Sequence, residues 1–218
     1  MSNTISNEQL IEQLKWRYAV KRFDSTKKVS DADWKTLEES LVLSPSSYGL
    51  QPWKFYVVTD ESVKKQLQPH AWNQPQIVEA SHLVVIAARK DADSGDVEKL
   101  IDRIVEVRGT KREDLEAMKG MIINSQKGAI ESGFINHWSA RQCYIALGTL
   151  LTSAAVLGID ACPMEGFVSA EFDKVLGIDK DGYQSVVVCA VGYRDSEHDW
   201  LSKVPKVRYD NSEVVKHI

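Results

Sequence analysis

Apolar residues near the N-terminus recur at helical spacing, and each run follows a polar residue that suits a helix start. Ser6 with Gln9 forms a capping-box pattern ahead of the first run, and Ser30 with Asp33 marks a second start. The second helix has to end by Ser44, because the proline that follows disfavours helical geometry in the residue before it. The pattern therefore predicts two N-terminal helices.

Four runs rich in β-branched and aromatic residues predict strands. The first two read KFYVVTD and HLVVIAAR, and a helix over ESVKKQL separates them. The last two read IDACPMEGF and YQSVVVCAVGYR. Between these we expect a helix from Ser169 to Leu176 that ends at Gly177.

The middle of the chain predicts two polar helices and then an apolar one. Residues 96–107 and 110 to about 130 are amphipathic and charged, and a capping box of Thr110 and Glu113 should start the second helix. Together they form a helical excursion, about residues 91–135, that could cover a site. Residues 137–158 are apolar on every side, so we expect that helix to be buried all round, in the core or along a subunit interface.

Length and composition are those of an ordinary globular protein. A chain of 218 residues without an internal repeat or low-complexity linker is most simply one domain, residues 1–218. Its last segment, about residues 200–218, keeps apolar residues without periodicity, and we expect it to pack on something.

Charge and apolar content exclude several partners. The net charge is −4 with the basic residues spread out, so neither nucleic acid nor an anionic membrane is indicated. There is no readable signal peptide, and the most apolar segment is short for a membrane span, so a cytoplasmic location is expected. The three cysteines lie in apolar runs, which predicts buried thiols in a reducing compartment.

The common catalytic motifs are missing from the sequence. It contains no GxGxxG after a strand, no GxxxxGK[ST], no GxSxG and no HExxH. The five histidines lack metal-ligand spacing, so no metal site is predicted, and we expect most carboxylates to be solvated. If the chain is an enzyme, a bound cofactor should carry the difficult chemistry.

Two basic clusters lie near the opposite ends of the chain. The first, RYAVKRFD, contains Arg17, Lys21 and Arg22, and the second, VPKVR, contains Lys206 and Arg208. In an extended chain, residues two apart point the same way, so the second pair could reach one phosphate. A solvated turn and a frayed basic tail are the alternatives.

Two further segments combine turn residues with a strand. In CPMEG, Pro163 and Gly166 bracket Met164 and Glu165 at a strand end, where glycine permits a close backbone approach. In SPSSYGLQPWKFYVV, residues 44–58, a loop rich in hydroxyl groups runs into a strand. An ordinary turn is the alternative for each segment when it is taken alone.

Taken in order, these motifs resemble the nitroreductase family of FMN-dependent oxidoreductases, nearest its oxygen-insensitive NAD(P)H nitroreductase and flavin reductase branch. The resemblance runs from about residue 8 to 209 and is weakest between about 91 and 135. It implies an α+β fold, a three-layer α/β/α sandwich with a central mixed sheet. It also implies an intertwined homodimer with two FMN sites at the interface, where the C-terminal extension packs on the partner subunit.

The resemblance implies roles for individual residues. Arg17, Lys206 and Arg208 would bind the FMN phosphate, while Lys21 would lie at the ring edge and stabilise the negative charge that reduction creates. Lys21 and Glu165 are the implied catalytic residues. The other implied FMN-binding residues are Tyr18, Ala19, Ser46, Ser47, Gly49, Asn73, Gln76, Gln142, Pro163, Met164 and Gly166, of which Ser46, Ser47 and Gly49 would reach the cofactor of the other subunit.

The sequence departs from the family pattern at several of these positions. Ala19 stands where a serine is common, Gln76 where some members have a second lysine, and Gly49 where an asparagine is common. These departures bear on substrate preference more than on flavin binding. The aromatic residue that gates the site has three candidate counterparts, Asn124, Phe134 and Trp138.

The implied activity is transfer of hydride from NAD(P)H through FMN to an electron-poor small molecule, such as a nitroaromatic or a quinone, by a ping-pong mechanism. Other flavin chemistry on the same fold, as in a flavin reductase or dihydropteridine reductase, is one alternative. A flavin-binding protein without turnover is another, although a cation at Lys21 would be wasted on storage alone.

Overall fold

A four-stranded sheet in the order β1-β2-β4-β3 lies at the centre of the computed structural model, which describes residues 5–218. The strands are β1 (Trp53–Val58), β2 (His82–Arg89), β3 (Asp160–Met164) and β4 (Tyr183–Gly192). All neighbouring strands pair antiparallel. In residues 5–218 parallel pairing is limited to the isolated bridge between Ala19 and Ala161, so the sheet is less mixed than expected.

Helices make up most of the remaining regular structure. Their bounds are α1 (Asn7–Trp16), α2 (Asp31–Val42), α3 (Glu61–Leu67), α4 (Gln76–Glu79), α5 (Ser94–Arg108), α6 (Glu116–Glu131), α7 (Ile135–Val156), α8 (Ser169–Leu176) and α9 (Asn211–Val214). The predicted caps of the first two helices are confirmed, because the Ser6 hydroxyl accepts the Gln9 N–H at 3.2 Å and that of Ser30 accepts the Asp33 N–H at 3.1 Å.

The helices cover both faces of the sheet and confirm the α/β/α sandwich. On one face α2 and α7 bury Leu37 and Leu150 against Val187. On the other face α3 and α8 bury Leu67 and Phe172. The central strands β2 and β4 are covered on both sides, which explains why they read as nearly continuous apolar runs.

The expectation that the long apolar helix is buried all round fails within a single chain, where α7 is buried on one side only; burial along a subunit interface stays a prediction. Cys143 and Leu150 of α7 have no exposed surface, whereas Tyr144 and Ile145 are 40% and 43% exposed. Gly148 is also exposed. Composition shows that a helix is apolar, but it does not show which face of the helix packs against the rest of the same chain.

The predicted capping box at Thr110 and Glu113 is wrong. The chain instead makes a short 3-10 turn at Arg112–Leu115, and α6 begins at Glu116. The Arg112 guanidinium forms ion pairs with Glu98 and Asp102 of α5. The turn thus comes with ion pairs to a different helix, and a local sequence pattern does not reveal such pairs.

The predicted thiols are confirmed, because Cys143, Cys162 and Cys189 are all free and buried. Over residues 5–218, no helix combines the length and apolar character needed to cross a membrane. The same stretch contains no cluster of three or more His, Cys, Asp or Glu side chains that could hold a metal ion.

Candidate functional site

A cleft of about 830 Å³ separates the end of α1 from the C-terminal extension. We call it the basic cleft, because its lining contains Lys15 of α1 and four further positively charged side chains, Arg17, Arg194, Lys206 and Arg208. Arg17 directly follows α1, where the chain leaves the helix in an extended conformation. The two basic motifs near opposite ends of the sequence therefore meet in one place.

Three of these cations lack an acidic partner. Neither Arg17, Lys206 nor Arg208 forms an ion pair with a carboxylate anywhere in the described chain. The Lys206 ammonium donates instead to the carbonyl of Leu14 at 2.6 Å and to that of Arg17. Burial and the charges of Arg17, Arg208 and Arg194 lower the pKa of Lys206. Crowded cations without carboxylates favour a bound anion.

The fourth cation is held in place by its own carboxylate. The Arg194 Nε donates to Asp160 Oδ1 at 2.8 Å, and Asp160 is nearly fully buried at the start of β3. The Arg194 guanidinium lies over the rings of Trp16 and Tyr18, at 4.1 and 4.6 Å from their centroids. This stack fixes one wall of the basic cleft.

The segment 17–21 continues from the basic cleft alongside β3. The bridge between Ala19 and Ala161 ties it to that strand. Burial raises the pKa of the Cys162 thiol, and the charge of Lys21, a hydrogen bond from Gln76 and the charge of Arg17 each offset that rise. Lys21, Gln76 and Arg17 therefore lie within electrostatic range of Cys162 on β3.

Gln76 is buried, with 3% of its surface exposed, and its amide oxygen has no hydrogen-bond partner in the described structure. A buried polar atom without a partner costs roughly 1–3 kcal/mol. A ligand with a donor group near this point would remove that cost.

The end of β3 carries the other predicted residues. Pro163 fits there because β3 is an edge strand, so its missing N–H removes no bond within the sheet. Met164 is buried and Glu165 is exposed. The Glu165 carboxylate accepts a hydrogen bond from the Tyr144 hydroxyl of α7 at 2.6 Å. Burial, and then this bond, raise the pKa of Tyr144 to about 12.

Gly166 is needed because an aromatic ring lies close to it. A Cβ on Gly166 would lie 2.4 Å from the Trp72 indole. Trp72 and Asn73 both adopt positive φ angles of 53° and 56°, an uncommon conformation for tryptophan, and Trp72 is 70% exposed. The Gln74 amide holds this turn by donating to the Gly166 carbonyl at 2.8 Å. Asn73 is thus brought near the end of β3.

The loop predicted to contact a cofactor does not reach the basic cleft of its own chain. The Ser47 N–H donates to the Gln142 amide oxygen at 2.9 Å, and the Ser46 hydroxyl accepts the Gln51 N–H at 2.9 Å. Gly49 lines a different pocket of about 340 Å³, between this loop and α5. Of the predicted residues, Ser46, Ser47, Gly49 and Gln142 form this second group.

The three candidate gating residues lie in the helical excursion and at the start of α7. Asn124 is exposed on α6, and Phe134 precedes α7 with the Arg141 guanidinium 4.7 Å from its ring centroid. Trp138 is partly buried in the pocket that Gly49 lines. None of the three lines the basic cleft.

Comparison with known proteins assigns the chain to a family. The model of the nitroreductase family matches residues 14–193. The chain belongs to the nitroreductase family. A Staphylococcus haemolyticus protein named as an NAD(P)H nitroreductase is 37% identical over 97% of this chain and 98% of its own length.

Two solved structures show the same nitroreductase fold. A Bacillus subtilis nitroreductase structure superposes with a TM-score of 0.85 at 21% identity, covering 98% of this chain and 100% of its own. A nitroreductase from Exiguobacterium sibiricum, solved in complex with FMN, superposes with a TM-score of 0.78 at 21% identity, covering 100% of both chains. The resemblance inferred from the motif order is therefore confirmed.

Three residues of this candidate site were not predicted from the sequence. Arg194 lies two residues after the end of β4, a position that could have marked it. Tyr144 lies in the apolar run of α7, and nothing in that run indicates that its hydroxyl bonds to Glu165. Asp199 precedes the turn Trp200–Lys203 as a typical capping residue, a signal that was present but was not connected with the site.

Proposed function

We propose that this chain is an FMN-dependent oxidoreductase that takes hydride from NAD(P)H and reduces nitroaromatic, quinone or related electron-poor acceptors by a ping-pong mechanism. The observation that carries the proposal is the basic cleft, where cations without carboxylate partners, among them Arg17, Lys206 and Arg208, lie beside the segment that pairs with β3. Membership of the nitroreductase family and the FMN complex of a structural neighbour support it.

The donor set of the site fits FMN. Arg17, Lys206 and Arg208 suit a phosphate dianion, because charge-assisted hydrogen bonds and forked guanidinium groups favour that ligand. The unpartnered amide oxygen of Gln76 and the nearby Lys21 offer an acceptor and a cation to the polar edge of a flavin ring. These residues of one chain would therefore bind both ends of the cofactor.

When bound, FMN would supply the chemistry of hydride acceptance from NAD(P)H and of electron delivery to the second substrate. The Lys21 ammonium would stabilise negative charge that develops on the ring. Glu165 would be oriented by its hydrogen bond from Tyr144, and Trp72 would offer an aromatic surface beside the end of β3.

We further propose that the active form is a homodimer. The loop with Ser46, Ser47 and Gly49 lies apart from the basic cleft of its own chain, so these residues would complete the site of a second copy. The exposed apolar side chains of α7 and of the C-terminal extension supply the surface that such a dimer would bury.

An absorbance spectrum followed by anaerobic titration tests the function. We expect the purified protein to be yellow, to be bleached by NADH or NADPH, and to give parallel double-reciprocal lines with a nitroaromatic or quinone acceptor. A colourless protein that FMN cannot reconstitute would disprove the proposal.

Lys21→Ala tests the role of the cation. Loss of one charge near the ring should slow flavin reduction roughly 10- to 1,000-fold while it leaves most FMN affinity intact, because the phosphate cations remain. Stopped-flow reduction and fluorescence titration measure the two effects separately. Weaker binding with an unchanged reduction rate would contradict this role.

A further inference from the structure

A fully buried carboxylate lies where the two halves of the basic cleft meet. Asp199 has no exposed surface. Its Oδ2 accepts the Tyr18 hydroxyl at 3.1 Å, the Lys21 N–H at 2.8 Å and the Arg22 N–H at 3.4 Å. Its Oδ1 accepts the Leu201 N–H at 2.9 Å. Both oxygens are therefore in use.

The four donors belong to two distant parts of the chain. Lys21 precedes Asp199 by 178 residues, in the segment that also carries Arg17. Leu201 belongs to the turn Trp200–Lys203, which Asp199 caps and which leads directly to Lys206. One carboxylate thus joins the N-terminal cations of the cleft to the C-terminal ones.

Asp199 is held by hydrogen bonds from backbone N–H groups and one hydroxyl, and not by an ion pair. No side-chain nitrogen of a Lys, Arg or His in the described chain forms an ion pair with its oxygens. A buried charge is costly unless hydrogen bonds satisfy it, and these donors are themselves fixed by bonding to it. Replacing one of its oxygens by an NH2 group, as in asparagine, would release the donors on that side, which include either Lys21 or Leu201.

We propose that Asp199 is a positioning residue that holds the N-terminal and C-terminal cations of the basic cleft in register for a phosphate group. The proposal rests on the proposed function in so far as FMN supplies that phosphate. Asp199 itself acts through the backbone of Lys21 and through the turn that precedes Lys206.

Asp173 offers a matched control. It is also a buried carboxylate, 7% exposed, and its Oδ1 accepts the Ser185 N–H at 2.9 Å. It lies on α8 and contacts β4, and it does not line the basic cleft. Asp173→Asn therefore reproduces the loss of a buried charge without touching the cleft.

The experiment compares FMN with riboflavin, which lacks the phosphate, in Asp199→Asn and Asp173→Asn proteins. Fluorescence titration should show FMN affinity reduced at least about tenfold in Asp199→Asn, the scale of one lost hydrogen bond to a charged group. Riboflavin affinity should change less than about threefold in the same variant, and Asp173→Asn should change neither by more than that. Equal losses for both flavins, or an unchanged FMN affinity, would overturn the proposal.

Hydrogen exchange of the flavin-free proteins gives a readout that does not depend on the cofactor. In Asp199→Asn at least one of the Lys21 and Leu201 amides should exchange faster than in the wild type, because one of the two acceptor oxygens becomes an NH2 donor, whereas in Asp173→Asn neither amide should. Unchanged protection of both amides in Asp199→Asn would overturn the proposal. A wild-type protein that binds neither flavin would disprove the proposed function, while this exchange measurement would still decide the role of Asp199.

If Asp199→Asn does not fold, Tyr18→Phe provides the milder test. It removes only the hydroxyl that bonds Asp199 and keeps the ring beside Arg194. The preference for FMN over riboflavin should fall about two- to fivefold, because Asp199 loses one of the donors that hold it. An unchanged preference would count against the proposal.

Discussion

The two faces of α7 have similar residues and opposite surroundings. Towards the sheet, Ala146 and Leu150 have no exposed surface and pack in the core beside Leu37. On the outer side, Ile145 is 43% exposed, and a Cβ on Gly148 would meet no atom within 4 Å. The chain buries the inner face in its own core, and the outer face is available to a second copy, as proposed above.

The C-terminal extension shows the same contrast with the sheet. Val187 and Val188 of β4 are buried by helices of their own chain, whereas Val207 and Tyr209 are 84% and 78% exposed. Within the described chain this extension is held near its start, where Lys206 contacts the end of α1 and the Leu201 N–H donates to Asp199. Its exposed apolar residues are a second set that the chain does not bury itself, and their packing on a partner stays a prediction.

Truncating the inner face of α7 should have the largest effect. Leu150→Ala should lower the free energy of unfolding by about 2–5 kcal/mol, because it leaves a cavity in the core. Urea titration at two protein concentrations measures it, with Ile145→Ala on the outer face as the control. A smaller loss for Leu150→Ala than for Ile145→Ala at low concentration would remove the contrast between the faces.

A charge on the outer face should break the proposed dimer and leave the fold intact. A Cβ at Gly148 meets no atom of its own chain within 4 Å, but Gly148→Glu would bury a carboxylate at the interface and weaken association at least about 100-fold. Sedimentation velocity measures the change. Gly128→Glu, an equally open glycine on α6, is the matched control and should remain dimeric. A dimeric Gly148→Glu protein would show that this face is not the interface.

The smallest expected effect is the loss of folding stability at low pH that comes from His82, at the start of β2. The His82 ring stacks on Trp34 of α2, with centroids 3.8 Å apart, and burial, followed by the charges of Lys64 and Lys28, lowers its pKa to about 4. Since the unfolded chain binds a proton at a higher pH, near 6.5, stability should fall as the pH drops from 6.5 towards 4.

Between pH 7 and 4.5 the wild type should lose on the order of 1–2 kcal/mol more free energy of unfolding than His82→Phe, which keeps the ring stack but does not titrate. Urea unfolding of both proteins at the two pH values measures it, since the other titrating groups cancel in the difference. Equal losses in the two proteins would show that His82 is not held neutral by its surroundings.

Much of the fold could be predicted because it depends on local chemistry. The caps at Ser6 and Ser30 require only a residue three positions on, and the strands follow from β-branched runs. The start of α6 could not be predicted, because the turn before it accompanies ion pairs between Arg112 and the separate helix α5.

The candidate site divides in the same way. The order of the motifs indicated Arg17, Lys21, Lys206 and Arg208, and the structure brings them to adjoining positions; their contacts with FMN stay a prediction. Asp199 and Arg194 were not indicated, because their importance arises only from partners far away in the chain. The separate place of Ser46 and Gly49 was likewise visible only in three dimensions.

By itself the sequence determined which segments are helical or extended, which side chains require burial, and which family the chain resembles. Those properties follow from local propensity and from hydrophobic periodicity. Only the tertiary structure decided which surfaces the chain buries itself and which carboxylate joins the two basic segments. A buried hydrogen bond, such as that from Lys21 to Asp199, exists only when donor and acceptor meet, and that meeting depends on the packing of the whole chain.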